Sequence, residues 1–248
     1  MPEPEAVSSE PEVSIVLPVY NEGANIEGVL RGIDEKVRTR PREILIVYDF
    51  EEDDTVPAVR LLQERMPDLR LHRNDLGRGV LKAIQAGFAS ARAPYLVVMM
   101  ADGSDEAEVV DAMIEHAVSG ADLVAASRYM RGGRQLGGPL LKRTLSRLAG
   151  LSLHWLGGVP IHDPTSNFKL YSRRLLEQVV IESEAGFELA LELTVKAYCL
   201  GLRLEEVPTT WRDRTAGQSR FRLRAWLPHY LRWYWRGMAG RFRVRPRR

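Results

Sequence analysis

Short runs of apolar, largely β-branched residues alternate along the first half of the chain with longer segments in which apolar residues recur every three or four positions. The short runs predict β-strands, and the longer segments predict amphipathic helices. Strands are predicted at residues 12–19, 43–48, 69–72, 95–100 and 121–126, and helices at residues 26–37, 57–66, 79–91 and 109–118. Strands that alternate with helices through short loops predict an α/β fold, in which a mostly parallel sheet is covered by helices on both faces.

The alternation becomes less regular after residue 127. Helices are predicted at residues 140–156, 175–181 and 188–200, and strands at residues 167–171 and 202–208. No change of composition marks a linker in this part of the chain. We therefore predict one domain over residues 13–219, with a disordered lead-in over residues 1–12 and a basic amphipathic C-terminal appendix over residues 220–248.

The C-terminal appendix combines an apolar face with a high positive charge. Apolar and aromatic residues fall at helical spacing on one face, namely Leu223, Trp226, Leu227, Tyr230, Leu231 and Tyr234. Residues 220–248 hold ten arginines and neither acidic residues nor lysine, so the net charge of +2 leaves −8 for residues 1–219. Such helices favour an anionic membrane surface, which we predict as the partner of residues 223–248. The alternatives are docking on the protein's own core and a dimer contact. Since no nucleic-acid motif accompanies the arginines, we expect no nucleic acid partner.

Composition and the single cysteine narrow the class and location of the protein. The chain has 248 residues, of which 45% are hydrophobic and 27% charged, enough for one globular domain with a sizeable core. Cys199 has no cysteine to pair with, and its apolar neighbours predict a place in the core. No apolar run approaches the ~20 residues that span a bilayer, and the N-terminal residues lack the pattern of a secretory signal. We expect a cytoplasmic protein that is peripheral on the inner face of the membrane.

Polar and acidic residues follow three of the predicted strands. Tyr20, Asn21 and Glu22 follow the first strand, Asp49 and the acidic residues at 51–54 follow the second, and Asp102, Asp105 and Glu106 follow the fourth. In parallel sheets, ligands bind beyond the carboxyl ends of the strands. Carboxylates that converge there repel one another, and a divalent cation or a network of sugar hydroxyl groups relieves that repulsion. Helix capping is the alternative role for Asp54 and Asp105.

An ordered set of motifs carries a family resemblance. The segments are PVYNE, VYDFEEDDT, NDLGRG, VVMMADGSD and ASRYMRGG, followed by DPTSNFKLYSRRLLE, GFELALEL and EVPTTWRDRTAGQSRF. Together they resemble family 2 glycosyltransferases of the GT-A fold, and most of all the dolichol-phosphate and polyprenyl-phosphate sugar transferases. The resemblance covers residues 13–223. It implies a Rossmann-like GT-A domain that uses a nucleotide-sugar donor.

The resemblance implies a nucleotide site in the first half of the chain. Pro18, Tyr20 and Glu22 match the loop that holds base and ribose, and Asp49 matches an acid that meets the base. Tyr48 stands where the family usually has another acid. Arg78, between two glycines at the start of a predicted helix, is a candidate for binding the donor's phosphates.

The resemblance also implies a divalent cation, Mg²⁺ or Mn²⁺. Asp102 matches the last acid of the family's Asp-x-Asp motif, whereas Met100 replaces the first acid. Mg²⁺ prefers oxygen ligands over a thioether. We therefore expect Asp105 to complete the metal site, with Ser104 as the alternative.

Arginines in the second half are candidates for the acceptor side of the site. An acceptor phosphate is already anionic, so the protein must mainly hold two anions together, which suits arginine forks. The candidates for binding the acceptor phosphate are Arg128, Arg131, Arg212, Arg214 and Arg220. We assign catalysis to Asp102 with Arg128, Arg131 and Arg214. Surface arginines in loops are the alternative reading.

We therefore expect an inverting transferase that moves a sugar from GDP-mannose or a UDP-hexose to a polyprenyl or dolichyl phosphate at the membrane surface. One alternative is a transferase of the same fold with a glycan or a diacylglycerol lipid as acceptor. Another is a catalytically silent subunit that binds nucleotide-sugar, which Tyr48 and Met100 favour. A separate membrane subunit or a homodimer is a further expected partner.

Overall fold

The computed structural model describes residues 10–184, 186–213 and 223–240, with side chains from residue 227 in the last range. Its strands are β1 (Val13–Pro18), β2 (Arg42–Tyr48), β3 (Leu69–Arg73), β4 (Tyr95–Val98), β5 (Leu123–Ser127), β6 (Arg134–Leu136), β7 (Lys169–Ser172), β8 (Leu204–Pro208) and β9 (Thr210–Arg212). Its helices are α1 (Gly23–Lys36), α2 (Thr55–Gln63), α3 (Val80–Ser90), α4 (Val110–Val118), α5 (Leu140–Trp155), α6 (Arg173–Gln178), α7 (Leu189–Cys199) and α8 (Leu223–Gly240). The predicted α/β alternation is confirmed.

Seven strands form one sheet in the order β3-β2-β1-β4-β7-β5-β8, and β6 pairs with β9 in a separate two-stranded sheet. The seven-stranded sheet is parallel except for β7, which runs antiparallel to β4 and to β5. The antiparallel direction of β7 and the small second sheet are features that the hydrophobic pattern did not predict. Both matter for the site, because they bring the second half of the chain back to the carboxyl ends of the parallel strands.

Alternate residues of the central strands point to opposite faces of the sheet. In β1, Ile15 and Leu17 pack in a core with α1, α2 and α4, whereas Val16 packs against α3. On the face that holds α3, a second core includes α7 and the buried residues of α5 and α8. Gly87 of α3 lies so close to Val16 that a side chain at this position would overlap it. The predicted cover of helices on both faces is confirmed.

The C-terminal helix α8 packs into this second core. Trp233 is only 1% exposed, and Tyr230, Tyr234 and Met238 pack beside it. Leu227 and Leu231, which we expected on the same face as the tyrosines, are exposed. The buried face of α8 is therefore rotated from the predicted one, and the alternative of docking on the protein's own core holds for the described part of the helix.

The prediction that Cys199 lies in the core is wrong, and the predictions for the two ends of the chain lie mostly outside the described residues. Cys199 is exposed at the end of α7, because the preceding residues of the helix fill the core in its place. Residues 1–9 and 241–248, which include most of the lead-in and the arginine-rich end, lie outside the described residues. Among the helices that the structure describes, none combines the length and the apolar character needed to cross a membrane.

Candidate active site

The carboxyl ends of β1, β2 and β4 lie along one edge of the sheet, because these strands are parallel neighbours. The loop that follows β5 begins at the same edge. Because β7 is antiparallel, the loop that precedes it, residues 163–168, also arrives there. The edge therefore gathers loops from both halves of the chain, as open α/β sheets do at their ligand sites.

Carboxylates in the loop after β2 accept hydrogen bonds from the backbone of the loop after β1. Asn21 has a left-handed backbone (φ 52°), and its N–H donates to both carboxylate oxygens of Asp53 at 3.1 and 3.0 Å. The N–H of Gly23 donates to Asp54 Oδ1 at 2.8 Å. Asp54 makes no hydrogen bond that caps α2, so its capping role is not observed. These acids shape the loop that carries Tyr20 and Glu22.

The residues predicted to bind the nucleoside differ in their exposure. Pro18 is buried at the end of β1, Tyr20 is exposed beyond it, and Glu22 is half-buried. The Glu22 carboxylate accepts a hydrogen bond from Asn25 Nδ2 at 2.7 Å. Pro18 therefore contributes backbone shape rather than side-chain surface, whereas Tyr20 offers a ring to a ligand.

Asp49 is tied to the loop that leads into α3. Its Oδ1 accepts a hydrogen bond from Asn74 Nδ2 at 2.7 Å, and its Oδ2 accepts one from the Gly79 N–H at 2.8 Å. Gly79 has φ 114°, a conformation that favours glycine. Asp49 thus positions the loop that carries Arg78, and the contact with a base that we expected of it stays a prediction.

An aromatic group that the sequence did not reveal joins these loops. The rings of Tyr20 and Phe50 meet edge to face, with centroids 5.3 Å apart, and the Arg78 guanidinium lies 5.3 Å from the centroid of the Phe50 ring. Phe50 follows Asp49 directly. Two aromatic rings and an arginine at the carboxyl end of a sheet form a surface suited to stacking with a base.

Tyr48, at the position of the missing acid, has an internal partner. Its hydroxyl donates to Glu51 Oε1 at 3.2 Å. Burial and the charge of Glu51 raise the pKa of Tyr48, so the hydroxyl remains protonated at neutral pH. Tyr48 therefore adds no negative charge to the edge, in contrast to the acid that it replaces.

Asp102 and Asp105 form the acidic end of β4. The Ser104 N–H donates to Asp102 Oδ1 at 3.1 Å, and the Met100 N–H donates to Asp105 Oδ2 at 3.0 Å. The pKa of Asp105 is raised to about 7, chiefly because the carboxyl group is buried; the charge of Asp102 adds to the rise, while the Met100 N–H and Arg128 oppose it. The helical turn at 107–109 is not capped by Asp105, so its capping role is also not observed.

The oxygen ligands that Asp102 and Asp105 offer fit Mg²⁺ or Mn²⁺. Carboxylate oxygens are the ligands that both ions accept, and the repulsion between Asp102 and Asp105 is what a cation would relieve. Within the described ranges, no three His, Cys, Asp or Glu side chains are grouped to hold a metal ion. A site with one or two carboxylates that relies on substrate phosphate oxygens for its remaining ligands is the usual arrangement for Mg²⁺. The thioether of Met100 is not a ligand that such a site would use.

Arg128 is paired with a buried acid that sequence reasoning missed. Its Nε and Nη2 donate to the two oxygens of Asp163 at 2.7 and 2.9 Å, and its backbone N–H donates to Asp163 Oδ2 at 3.1 Å. Asp163 is fully buried. Burial alone would raise the pKa of Asp163, but Arg128 holds it below the usual value. Only Nη1 of Arg128 has no hydrogen-bond partner among the described residues. The fork expected for an acceptor phosphate is thus already engaged by Asp163.

A buried lysine lies beneath this pair. Lys169 Nζ donates to the carbonyl oxygens of Pro164, at 3.0 Å, and of Ser166. Burial lowers the pKa of Lys169 to about 7, an effect that Arg128 reinforces and Asp163 opposes. Lys169 therefore fixes the loop before β7, which carries Asp163.

The remaining predicted arginines are divided. Arg131 is exposed and has no ion-pair partner among the described residues. Arg212 Nη1 donates to Glu106 Oε1 at 2.6 Å, and its backbone N–H donates to the Ser104 carbonyl at 3.1 Å. Arg212 therefore braces the loop of Asp102. Arg214 and Arg220 lie outside the described residues, and their assignment to the acceptor phosphate stays a prediction.

Comparison with solved structures concerns the fold alone. The glucosyl-3-phosphoglycerate synthase of Mycobacterium tuberculosis, solved with Mn²⁺, UDP and glucosyl-3-phosphoglycerate, matches with a TM-score of 0.64 at 18% identity, over 94% of this chain and 79% of that chain. Its complex with UDP alone matches with a TM-score of 0.66, over 96% and 83%. The chain shares the fold of these enzymes.

Comparison of sequences identifies the family. Dolichol-phosphate mannosyltransferase of Pyrococcus furiosus is 29% identical over 92% of this chain, which spans only 64% of that protein's length. Polyprenol monophosphomannose synthase of Mycolicibacterium smegmatis is 31% identical over 88% of this chain and 84% of its own. The family named Glycosyl transferase family 2 matches residues 14–180, more than half of the chain. The expected family is therefore confirmed, and this chain belongs to glycosyl transferase family 2.

Proposed function

We propose that this protein transfers a sugar, with inversion, from GDP-mannose or a UDP-hexose to a polyprenyl or dolichyl phosphate at a membrane surface. The observation that carries the proposal is the closeness of two oppositely charged groups. β4 and β5 both run antiparallel to β7, so their carboxyl ends lie at the same end of the sheet. The acidic residues Asp102 and Asp105 after β4 and the basic residues Arg128 and Arg131 after β5 therefore meet there. The names of the relatives agree: a dolichol-phosphate mannosyltransferase, a polyprenol monophosphomannose synthase and the undecaprenyl-phosphate mannosyltransferase of Micrococcus luteus.

We infer a donor side and an acceptor side of the site. Tyr20, Phe50 and Arg78 take the nucleoside and its phosphates, and Asp102 with Asp105 holds the divalent cation. When bound, Mg²⁺ or Mn²⁺ neutralises the charge that develops on the departing diphosphate. Arg128, held by Asp163, and the exposed Arg131 bind the acceptor phosphate and offset its repulsion from the donor.

Inversion follows from a single displacement. An oxygen of the acceptor phosphate forms a bond to the anomeric carbon on the face opposite the bond to the nucleoside diphosphate, which breaks with its electron pair on the leaving oxygen. The attacking oxygen is already ionised at neutral pH, so the protein needs no general base. Its task is to hold the two anions in line.

A catalytically silent subunit that binds nucleotide-sugar is the second candidate function, because two acids of the family pattern are missing. Met100 and Tyr48 remove two acids, and in the structure the Asp105 carboxylate accepts a hydrogen bond from the Met100 backbone. A cation site with fewer charges is weaker. Both the transferase and the silent subunit would bind nucleotide-sugar, but only the transferase would turn it over.

The test is an assay of the full-length chain with each labelled nucleotide-sugar, a polyprenyl phosphate and Mn²⁺ or Mg²⁺. We expect labelled lipid in the organic phase for one donor, loss of transfer with a chelator, and a product of inverted anomeric configuration. Transfer to a glycan or to diacylglycerol, with none to lipid phosphate, would contradict the proposed acceptor. Nucleotide binding without transfer to any acceptor would establish the silent subunit.

The proposed location is the cytoplasmic face of the membrane, where the donor and the lipid phosphate meet. A membrane subunit or a second copy of the chain is compatible with this location. Fractionation of cells that express the chain, with protease added to sealed vesicles of known orientation, tests the face directly.

A further inference from the structure

Helix α5 has an inner side that packs on the domain. Ser146, Gly150 and Leu153 lie at i, i+4 and i+7, on one side of the helix. Leu153 is buried in the second core, and Gly150 lies so close to the His162 carbonyl that a side chain would not fit there. This side fixes the helix against the acceptor half of the site.

The outer side of α5 carries large apolar side chains that are mostly exposed, although Ser152 in the same row contacts Tyr234 of α8. Leu141, Leu145, Leu148 and Trp155 lie at i, i+4, i+7 and i+14, and they are 65%, 40%, 61% and 70% exposed. We name these four residues the leucine stripe. Scattered apolar residues are common on protein surfaces, but a row along one helix marks a surface that binds a partner or a membrane.

The charge around the leucine stripe identifies the partner. Residues 131–162 contain no Asp or Glu, and their charged residues are Arg131, Arg134, Lys142, Arg143 and Arg147. Residues 1–219 as a whole have a net charge of −8, so the positive charge is a local property of this segment. In a symmetric dimer, the same surface of a second copy would place cations against cations. An anionic bilayer offers opposite charge and an apolar interior together.

The acceptor arginine lies against the inner side of the same helix. Ser146 Oγ accepts from Arg128 Nη2 at 3.4 Å and from the Tyr129 hydroxyl at 2.9 Å, and it shares a hydrogen bond of 2.7 Å with Thr165 Oγ1. A helix with its side chains is about 10 Å across. A bilayer on the outer side of α5 would therefore bring lipid phosphates within about that distance of Arg128.

Helix α8 does not offer the same surface with its aromatic side. Trp233 is buried, Lys196 and Arg236 lie 5.0 and 4.7 Å from the centroid of its ring, and the Tyr234 hydroxyl shares a hydrogen bond of 3.0 Å with Ser152 Oγ of α5. Of the face that the sequence pattern directs to a membrane, Tyr230 and Tyr234 pack on the domain. Leu227 and Leu231 remain exposed. The two tyrosines are therefore used inside the protein, and insertion must depend on other side chains.

We propose that the leucine stripe of α5 inserts into the interface of an anionic bilayer and so places the acceptor site at the lipid headgroups. The identity of the acceptor rests on the proposed function, but the insertion itself does not. The surface commits to lipid and not to a protein partner. It also differs from the predicted anchor, because α5 and not the aromatic face of α8 makes the apolar contact.

The test is flotation of the full-length chain with vesicles of phosphatidylcholine mixed with phosphatidylglycerol, without donor or acceptor. L141Q/L148Q should lower the partition coefficient at least about tenfold, because two side chains lose their apolar contact with lipid. Leu61, which is 73% exposed on α2, supplies the matched control: L61Q should float as the native chain does. The loss should persist in ~1 M salt, where screening acts within about 3 Å.

A variant without two of the cations tests the contribution of positive charge to membrane binding. R143Q/R147Q should lower binding to the anionic vesicles at least about tenfold at low salt and should leave the weaker binding to pure phosphatidylcholine unchanged. All substituted side chains are outside the cores, so thermal unfolding should shift by no more than about 2 °C.

Two results would overturn the proposal. One is flotation of folded L141Q/L148Q equal to that of the native chain. The other is a native dimer in sedimentation that L141Q/L148Q dissociates, since the stripe would then bind a second copy. Failure of the proposed function looks different: the native chain and L61Q would float, L141Q/L148Q would not, and no donor would yield labelled lipid.

Discussion

The donor side and the acceptor side of the site satisfy their polar groups in different ways. On the donor side, carboxylates such as Asp49, Asp53 and Asp54 accept hydrogen bonds from backbone N–H groups of neighbouring loops. On the acceptor side, arginines pair with acids, as in Arg128 with Asp163 and Arg212 with Glu106. In both halves the polar residues first hold the protein together. Buried polar groups must be satisfied before a ligand arrives, so a residue's type alone does not establish that it contacts substrate.

The largest effect should come from removing the buried acid on the acceptor side. Asp163→Ala leaves Arg128 without its partner and Lys169 without a nearby negative charge, which should lower the free energy of unfolding by about 3–5 kcal/mol. Urea denaturation measures this loss. R128M/D163L, in which both charges are absent, should be more stable than D163A and yet inactive. Equal stability of D163A and the native chain would show that the pair is not structural.

The main acid of the donor side should affect turnover more than stability. Asp102→Asn should lower kcat by about 10² or more, as loss of one charge-stabilising group does. Steady-state assays over a range of Mn²⁺ concentrations measure it. Glu27→Gln, on an exposed residue of α1, is the control and should retain native kcat. Native activity and native metal dependence in D102N would remove Asp102 from the mechanism.

Asp105 should make metal binding depend on pH. Its pKa is raised to about 7, so below that pH a cation must displace a proton, and Mn²⁺ affinity should rise as the pH increases through about 7. Without metal, the folded state binds the extra proton between about pH 4 and pH 7, so stability should fall as the pH rises through this window. Calorimetric titration with Mn²⁺ across this pH range checks the first expectation, and metal-free urea denaturation checks the second, each with the native chain and D105N. A native profile in D105N would assign the titration to another group.

The smallest effect should come from the aromatic surface on the donor side. Phe50→Ala removes the ring between Tyr20 and Arg78 and should weaken nucleotide binding about five- to tenfold, the value of one stacking contact. Equilibrium binding of GDP and UDP measures it and shows which base the surface prefers. Leu76→Ala, on an exposed residue of a neighbouring loop, should leave both affinities unchanged. Native affinity in F50A would place the base elsewhere.

Most of the donor side could be predicted from the sequence because its information is local. Strands β1, β2 and β4 are largely apolar, and acidic residues follow each of them within a few positions. Asp102 is predicted from its position just after such a strand, and its role stays a prediction. Phe50 was missed because a single aromatic residue after a strand has no periodic pattern, and only the structure brings it against Tyr20 and Arg78.

The acceptor side was harder to predict from the sequence, because its contacts join segments that are far apart in the chain. Asp163 and Arg128 are 35 residues apart, and their proximity depends on β7 being antiparallel, which a four-residue strand does not encode in its hydrophobic pattern. The prediction of which face of α8 is buried was wrong for a related reason. Tyrosine, tryptophan and leucine occur all around that helix, so the side that is buried is decided by the neighbours that receive it.

Gly237 of α8 lies close to Leu153 of α5 and to Val195 of α7; a Cβ atom there would be 2.9 and 3.1 Å from their side chains. Three segments far apart in sequence thus share one tightly packed contact. Segments that are packed together in this way tend to open as one cooperative unit. Amide protons of the packed turns of α5, α7 and α8 should therefore exchange with solvent at similar rates, and a fluctuation that detaches α8 would loosen the support of Arg128 while α1 and α2 stay protected.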